Sequence, residues 1–146
     1  VLFVGDGIEK SSMKNYALQH DIKVVFAGFQ NQSELARFYS IADVAAVISE
    51  YDPSPKAMNE AMNFELPIIV TDIVGTAKDL VRHGENGFVV KVGDTDAIAK
   101  HIEYFYKERN EGMRMGGKSL EIVSHWNFKE DTRWIEKAVE SVVTHR

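Results

Sequence analysis

Two carboxylates, Asp52 and Glu60, are separated by seven residues in the segment YDPSPKAMNEAMNFELPIIVT, residues 51–71. The apolar runs at either end of this region predict strands, and the residues between them predict a helix. Asp52 then lies on the strand-to-helix turn and Glu60 one to two turns inside the helix. Because an ionised carboxylate accepts hydrogen bonds from neighbouring hydroxyls, the pair suits a sugar or ribose. Acidic residues near a helix start also simply favour the helix dipole, so both explanations stay open.

The start of this predicted helix has the composition of an anion site. Ser54 is the predicted N-cap, and Pro55 suits the first helical position, where its fixed φ fits. The next three amides, those of Lys56, Ala57 and Met58, then lack intrahelical acceptors at the positive end of the helix dipole. We therefore predict a phosphate site here. The residues predicted to face the sheet are Met58, Ala61, Met62 and Leu66.

Strand and helix patterns alternate along the chain. This alternation predicts a Rossmann-like, doubly wound α/β fold with a mostly parallel sheet of about five strands, helices on both faces and a helical C-terminal tail. The turn containing Gly5 and Gly7 follows the first strand at the edge where such sheets bind ligands, although a plain turn explains these glycines equally well. The last predicted helix, Glu130 to Thr144, carries an apolar stripe that includes Trp134.

Composition excludes several classes of protein. The formal net charge of −5 and the lack of a dense Lys/Arg cluster argue against nucleic acid and lipid surfaces as partners. The chain has no cysteine, and its five histidines, His145 among them, lack the spacing of metal ligands, so we predict no metal. The sequence has no Walker A motif, nucleophile elbow or complete dinucleotide fingerprint. Hydride transfer with a nicotinamide cofactor is therefore not expected.

The segment around the two carboxylates resembles a known family. Asp52, seven residues, Glu60 and the following Ala61-Met62 look like the Glu-seven-Glu signature of retaining GT-B glycosyltransferases, above all glycosyltransferase family 4. Further matches occur in the order and spacing of the nucleotide-sugar-binding C-terminal domain of that family. They are Val4-Gly5-Asp6-Gly7, Val25-Phe26-Ala27-Gly28-Phe29, Ala42-Asp43-Val44, Leu66-Pro67-Ile68-Ile69-Val70, Thr71-Asp72 to Gly75, and Gly84-Glu85-Asn86-Gly87-Phe88-Val89-Val90 to Gly93-Asp94.

The resemblance implies a donor site. By this analogy Glu60 holds the ribose hydroxyls of a nucleotide-sugar, and Asp52 contacts hydroxyls of the transferred sugar. Sugar or phosphate oxygens would be held by the remaining donors of the loop, namely the Ser54 hydroxyl and the amides of Lys56 and Ala57. The loop at Gly28 and Phe29 would lie near the base, although Phe29 could equally be a core residue.

Three features of the sequence depart from the family pattern. Asp52 replaces the usual Glu and is one methylene shorter, and Pro53-Ser54-Pro55 replaces a Gly-Phe-Gly stretch, so Pro55 has no amide to donate. Glu65 stands where family members often have a glycine that closes the helix.

The resemblance also implies how the chain is organised. Residues 1–146 would be a single donor-binding domain, a fragment of a longer two-domain protein whose N-terminal domain binds a glycan or lipid-linked acceptor in polysaccharide biosynthesis. The central strand of the sheet would be missing, so we expect exposed apolar strand edges and weak or no catalysis by the fragment. We expect a cytoplasmic protein. Contact of the full protein with the inner face of the membrane stays open.

Two alternatives to a transferase remain. One is a non-catalytic module that binds nucleotides or sugar phosphates, in which the departures at Asp52 and Pro55 reflect lost chemistry. The other is a nucleotide-sugar epimerase of the same architecture, which would need further acidic residues that we cannot assign in this sequence.

Overall fold

The computed structural model describes residues 1–143, so Thr144 and His145 lie outside the described residues. Strands and helices alternate up to the last strand, after which the described chain is helical. Contacts divide it into two compact units, Val1–Ile41 and Ala42–Arg146. The strands are β1 (Leu2–Val4), β2 (Val25–Gly28), β3 (Ala45–Val47), β4 (Ile68–Thr71) and β5 (Gly87–Val90). The helices are α1 (Lys10–Gln19), α2 (Gln32–Tyr39), α3 (Lys56–Asn63), α4 (Ala77–Leu80), α5 (Thr95–Lys107), α6 (Arg109–Ser124) and α7 (Phe128–Val143).

The first unit contains a parallel pair of strands, β1 and β2, connected through α1. Phe3 lies opposite Phe26 in the register, and their rings stack with centroids 5.3 Å apart. Little of this unit is deeply buried: Val25 is 61% exposed, and Ala17 of α1 is the one apolar residue of the described unit with under a tenth of its surface exposed.

The second unit is built on the parallel sheet β3-β4-β5, with β4 in the middle. Ile68, Ile69, Val70 and Thr71 of β4 are all buried, because neighbouring strands pair with both of its edges and both of its faces are covered. Ile69 packs with the second-unit core residues Phe88, Val90, Phe105 and Met115.

Helix α6 approaches the loop before β4 more closely than side chains would allow. A Cβ on Gly116 would overlap the backbone carbonyl of Glu65, whereas a Cβ on the next residue, Gly117, would meet no atom within 4 Å. Glu65 itself has φ +56°, the left-handed conformation that explains why glycine is favoured at this position. The backbone of α6 therefore packs directly against the end of α3.

A buried polar network fastens α6 to the turn before β5. The Asn86 side chain donates to the Leu80 carbonyl (3.0 Å) and accepts from the Arg82 amide (2.7 Å). The Ser119 hydroxyl of α6 donates to the Asn86 carbonyl at 3.2 Å. Asn86 and Ser119 are both 0% exposed, so these hydrogen bonds satisfy groups that water cannot reach.

The fold class predicted from the sequence is confirmed, with two features that the pattern did not specify. Every strand pairing among the described residues is parallel, and the strands hydrogen-bond as a pair in the first unit and a triplet in the second. Helix α7 has no buried residue, and its apolar stripe is exposed, with Trp134 at 64% and Val142 at 68%.

Candidate donor site at the start of helix α3

The loop between β3 and α3 is closed by the side chain of Asp52. Its Oδ1 accepts a hydrogen bond from the Ser54 amide at 3.1 Å, an arrangement in which an Asp side chain caps the backbone two residues further on. Asp52 is partly buried, while Pro53 and Ser54 are exposed. One carboxylate oxygen of the first predicted site residue is therefore engaged within its own loop.

The same loop is held by the end of β4 and the loop after it. The Gly75 amide donates to the backbone carbonyl of Asp52 at 3.0 Å, and the Thr71 hydroxyl donates to the Ser49 carbonyl at 2.6 Å. A Cβ on Gly75 would overlap the carbonyl oxygen of Pro53. The loops that follow the neighbouring parallel strands β3 and β4 thus touch through backbone atoms at the carboxyl edge of the sheet.

Helix α3 begins one residue later than predicted. Pro55 is the N-cap, with φ −67° and ψ 116°, and neither it nor Ser54 caps the helix through a side chain. The prediction of Ser54 as N-cap and Pro55 as first helical residue is wrong. The fixed φ of proline fits either the N-cap or the first helical position, and only the extended ψ of Pro55 shows that it is the N-cap. Ser54 instead uses its amide to bond Asp52.

The helix start nevertheless offers unpaired donors. The Met58 amide bonds the Pro55 carbonyl at 3.1 Å, whereas the amides of Lys56 and Ala57 have no acceptor among residues 1–143. Both residues are exposed, so a ligand can reach their backbone. Two adjacent N–H groups at the positive end of a helix dipole can bind an anion such as a phosphate oxygen.

The buried face of α3 fixes which residues remain on its other side. Met58, Ala61 and Met62 are 0% exposed and Leu66 is 5% exposed, so the face predicted to pack inward is buried. Glu60 lies in the second turn and is only partly buried. The structure therefore keeps Asp52, Ser54, Lys56, Ala57 and Glu60 within one loop and helix of the second unit.

The predicted nucleotide-loop residues share one edge of the first unit. Gly5 (φ +133°) donates its amide to the carbonyl of Gly28 (φ +71°) at 2.8 Å, where both conformations favour glycine. Gly7 donates its amide to Asp6, and Phe29 is 81% exposed, which excludes the core role considered for it. Gly28 is thus the last residue of β2, and Gly5, Gly7 and Phe29 lie on loops at the carboxyl ends of β1 and β2.

An ion pair at this edge was not apparent from the sequence. The Lys10 ammonium lies 2.7 Å from Asp6 Oδ2. The hydrogen bond from Lys10, helped by the Gly7 amide, holds the pKa of the Asp6 carboxyl below its usual range. A spacing of four residues is typical of ion pairs within a helix. Asp6 lies before the glycine turn and outside the helix, so this spacing did not predict the pair.

The sequence also did not predict the hydrogen bonds from Gly75 and Thr71 to the loop between β3 and α3. The two hydrogen bonds join residues more than 20 positions apart, and local patterns carry no information on such pairs. Next to Gly75, the Thr76 hydroxyl is buried without a hydrogen-bond partner among the described residues.

Residues 1–143 contain no group of three or more His, Cys, Asp or Glu side chains placed to hold a metal ion. Within the same range, the helices are all too short or too polar to cross a membrane.

Solved structures identify the class of fold. A sucrose-phosphate synthase from Thermosynechococcus elongatus superposes with a TM-score of 0.83 at 24% identity, covering 99% of this chain and 39% of that protein. HepE from Anabaena, in complex with UDP-glucose, superposes with a TM-score of 0.79 at 22% identity, covering 96% of this chain and 40% of that one. The architecture is that of a GT-B glycosyltransferase domain.

Sequence comparison then gives the family. The profile described as "Glycosyl transferases group 1" matches residues 1–121, so the chain belongs to this family. An N-acetyl-alpha-D-glucosaminyl L-malate synthase from Bacillus anthracis is 29% identical over 125 residues, which are 84% of this chain and 32% of that enzyme. The chain spans 28% to 33% of the length of this enzyme and of three other curated relatives.

Proposed function

We propose that this chain is the donor-binding half of a retaining, metal-independent glycosyltransferase of family 4. The enzyme would transfer a sugar from a nucleoside-diphosphate sugar to an acceptor hydroxyl, and the glycan or lipid-linked acceptor would bind to a separate N-terminal domain. Membership of the group 1 glycosyl transferases supports the transferase part of this proposal. The UDP-glucose complex of HepE supports a nucleotide-sugar as donor.

The observation that carries the proposal is the pair of unpaired amides at Lys56 and Ala57. They lie at the carboxyl edge of a parallel sheet, where α/β folds bind ligands, and the helix dipole adds positive potential. Charge develops on the diphosphate as the sugar leaves, so donors fixed at this position would stabilise the transition state more than the ground state. The Lys56 ammonium and the Ser54 hydroxyl would add further hydrogen bonds.

The remaining residues are assigned by the roles that the family signature implies. Glu60, partly buried in the second turn of α3, would accept hydrogen bonds from both ribose hydroxyls. The glycine loops at Gly5, Gly7 and Gly28 would let a nucleotide approach the backbone, and the exposed ring of Phe29 would lie near the base.

A calorimetric titration of the full-length protein with UDP, GDP and ADP and their glucose conjugates tests this assignment. We expect one nucleotide to bind, and Glu60→Gln to weaken its binding about tenfold, because Gln keeps one acceptor oxygen but lacks the second oxygen and the charge. The control is Glu103→Gln, the same change at an exposed Glu of α5 that pairs with Lys107. Equal affinities of the two variants would contradict the role of Glu60.

A non-catalytic binding module is the second candidate, favoured by Asp52, whose Oδ1 already bonds the Ser54 amide, and by Pro55, which has no amide. Incubating the full-length protein with donor and acceptor separates the two. Transfer with the anomeric configuration kept, read by NMR of the product, supports the transferase. Tight donor binding without transfer to any acceptor would favour the module, and an epimer formed from donor alone would indicate an epimerase.

A further inference from the structure

We propose that Asp52 is a positioning residue, which sets the start of α3 through a hydrogen bond to the Ser54 amide rather than through its negative charge. The inference rests on the proposed donor site and deepens it. The family resemblance implied that this residue contacts the transferred sugar. The geometry assigns its Oδ1 to the loop itself, at 3.1 Å from the Ser54 nitrogen.

The hydrogen bond between the Ser54 amide and Asp52 Oδ1 depends on the length of the side chain at position 52. Asp and Asn carry an acceptor at the distance needed to reach the amide two residues on, and they recur in such turns for that reason. Glu would place its oxygens one methylene further from the backbone. This turn therefore requires a side chain of the length of Asp or Asn at a position where the family signature has Glu.

The turn is rigidly connected to the two unpaired amides. Only Pro55 separates Ser54 from Lys56, and its ring fixes φ at −67° while its side chain is buried. A change in the orientation of the Ser54 peptide therefore passes to the Lys56 and Ala57 amides with few free torsions to absorb it.

A second anchor holds the same loop from the neighbouring strand. Gly75 donates its amide to the Asp52 carbonyl at 3.0 Å, and the Pro53 carbonyl occupies the space where a Cβ of Gly75 would lie. Because both contacts are between backbone atoms, any side chain at Gly75 must displace the loop. The loop between β3 and α3 is thus held by the side chain of its own Asp52 and by the amide of Gly75 in the loop between β4 and α4.

Three substitutions at Asp52 separate geometry from charge. Asn keeps the length and the acceptor but removes the charge, Glu keeps the charge but changes the length, and Ala removes both. In the full-length protein we expect Asp52→Asn to weaken binding of the cognate nucleoside diphosphate by less than about threefold. Asp52→Glu and Asp52→Ala should each weaken it by about tenfold, the equivalent of one hydrogen bond, because the Lys56 and Ala57 amides are then no longer held in place. Gly75→Ala should act in the same direction, and Asp79→Ala, at an exposed site on α4, is the control.

Amide hydrogen exchange of the ligand-free variants gives a second readout that needs no donor. The Ser54 amide should exchange at a wild-type rate in Asp52→Asn and faster in Asp52→Glu and Asp52→Ala. The inference is overturned if Asp52→Asn loses as much affinity as Asp52→Ala while Asp52→Glu binds normally, or if Ser54 exchange is the same in all variants. Failure of the wild-type protein to bind any nucleotide would instead refute the proposed function, and the exchange rates would still decide the role of Asp52.

Discussion

Two adjacent glycines of α6 should respond to the same substitution with opposite signs. Gly116 and Gly117 occupy consecutive positions of one helix, so alanine removes the same backbone freedom from the unfolded chain and gains the same helix propensity at each site, about 1 kcal/mol. The two glycines differ in the space available for a Cβ atom. Gly116 is buried against the Glu65 carbonyl, whereas Gly117 is exposed with no neighbour in reach of a Cβ.

The magnitudes follow from that difference. A methyl group on Gly116 overlaps a backbone oxygen and lies 3.5 Å from the Pro67 ring, so α6 or the loop before β4 must shift. Overpacking of this kind costs about 1–3 kcal/mol and, against a backbone oxygen, should exceed the propensity gain. We expect Gly116→Ala to lower the free energy of unfolding by about 1–2 kcal/mol, the overpacking cost less the propensity gain, and Gly117→Ala to raise it by about 1 kcal/mol.

Urea denaturation followed by far-UV circular dichroism measures both values, since the midpoint moves with stability while the slope stays constant. Stabilisation by both alanines would refute the direct contact between α6 and the loop at Glu65. Destabilisation by Gly117→Ala would show that α6 is covered on its exposed side.

The remaining stability predictions use the same measurement. Glu65→Gly should raise the free energy of unfolding by about 1 kcal/mol, because glycine adopts the φ of +56° without strain, and a decrease would contradict the left-handed assignment. Asn86→Ala should lower it by about 2–3 kcal/mol by leaving buried partners unpaired, while Asn110→Ala, at an exposed site, should change it little. Burial, helped by the nearby positive charge of His83, lowers the pKa of His101 below the reference value of 6.5. The folded state then binds its proton at lower pH than the unfolded chain, so stability should fall as pH drops through about 6.5 and His101→Gln should flatten that fall.

The sequence predicted those parts of the fold that depend on local periodicity. The spacing of Met58, Ala61 and Met62 fixes the buried face of α3, and the β-branched run Ile68 to Val70 reads directly as a strand covered on both faces. The stripe on α7 was equally visible, but a periodic pattern does not say whether a partner covers it, and the described helix is exposed.

The contacts that shape the site were beyond such patterns. Gly75 looks like any turn glycine until its Cβ position is seen to coincide with the Pro53 carbonyl. The N-cap was misplaced by one residue because proline φ is the same at Pro55 whether or not the residue is helical. Asp52 was recognised as a site residue, whereas its bond to Ser54 depends on a turn geometry that the letters D-P-S do not specify.

The proposed donor site requires the Lys56 and Ala57 amides to hold the diphosphate of a nucleotide-sugar. The most direct measurement is their hydrogen-exchange rate in the full-length protein with the nucleoside diphosphate that binds, compared with the corresponding nucleoside, which has no phosphate. We expect exchange at both amides to slow with the diphosphate and to stay unchanged with the nucleoside. Unchanged exchange at both amides, under conditions where calorimetry shows the diphosphate bound, would contradict it.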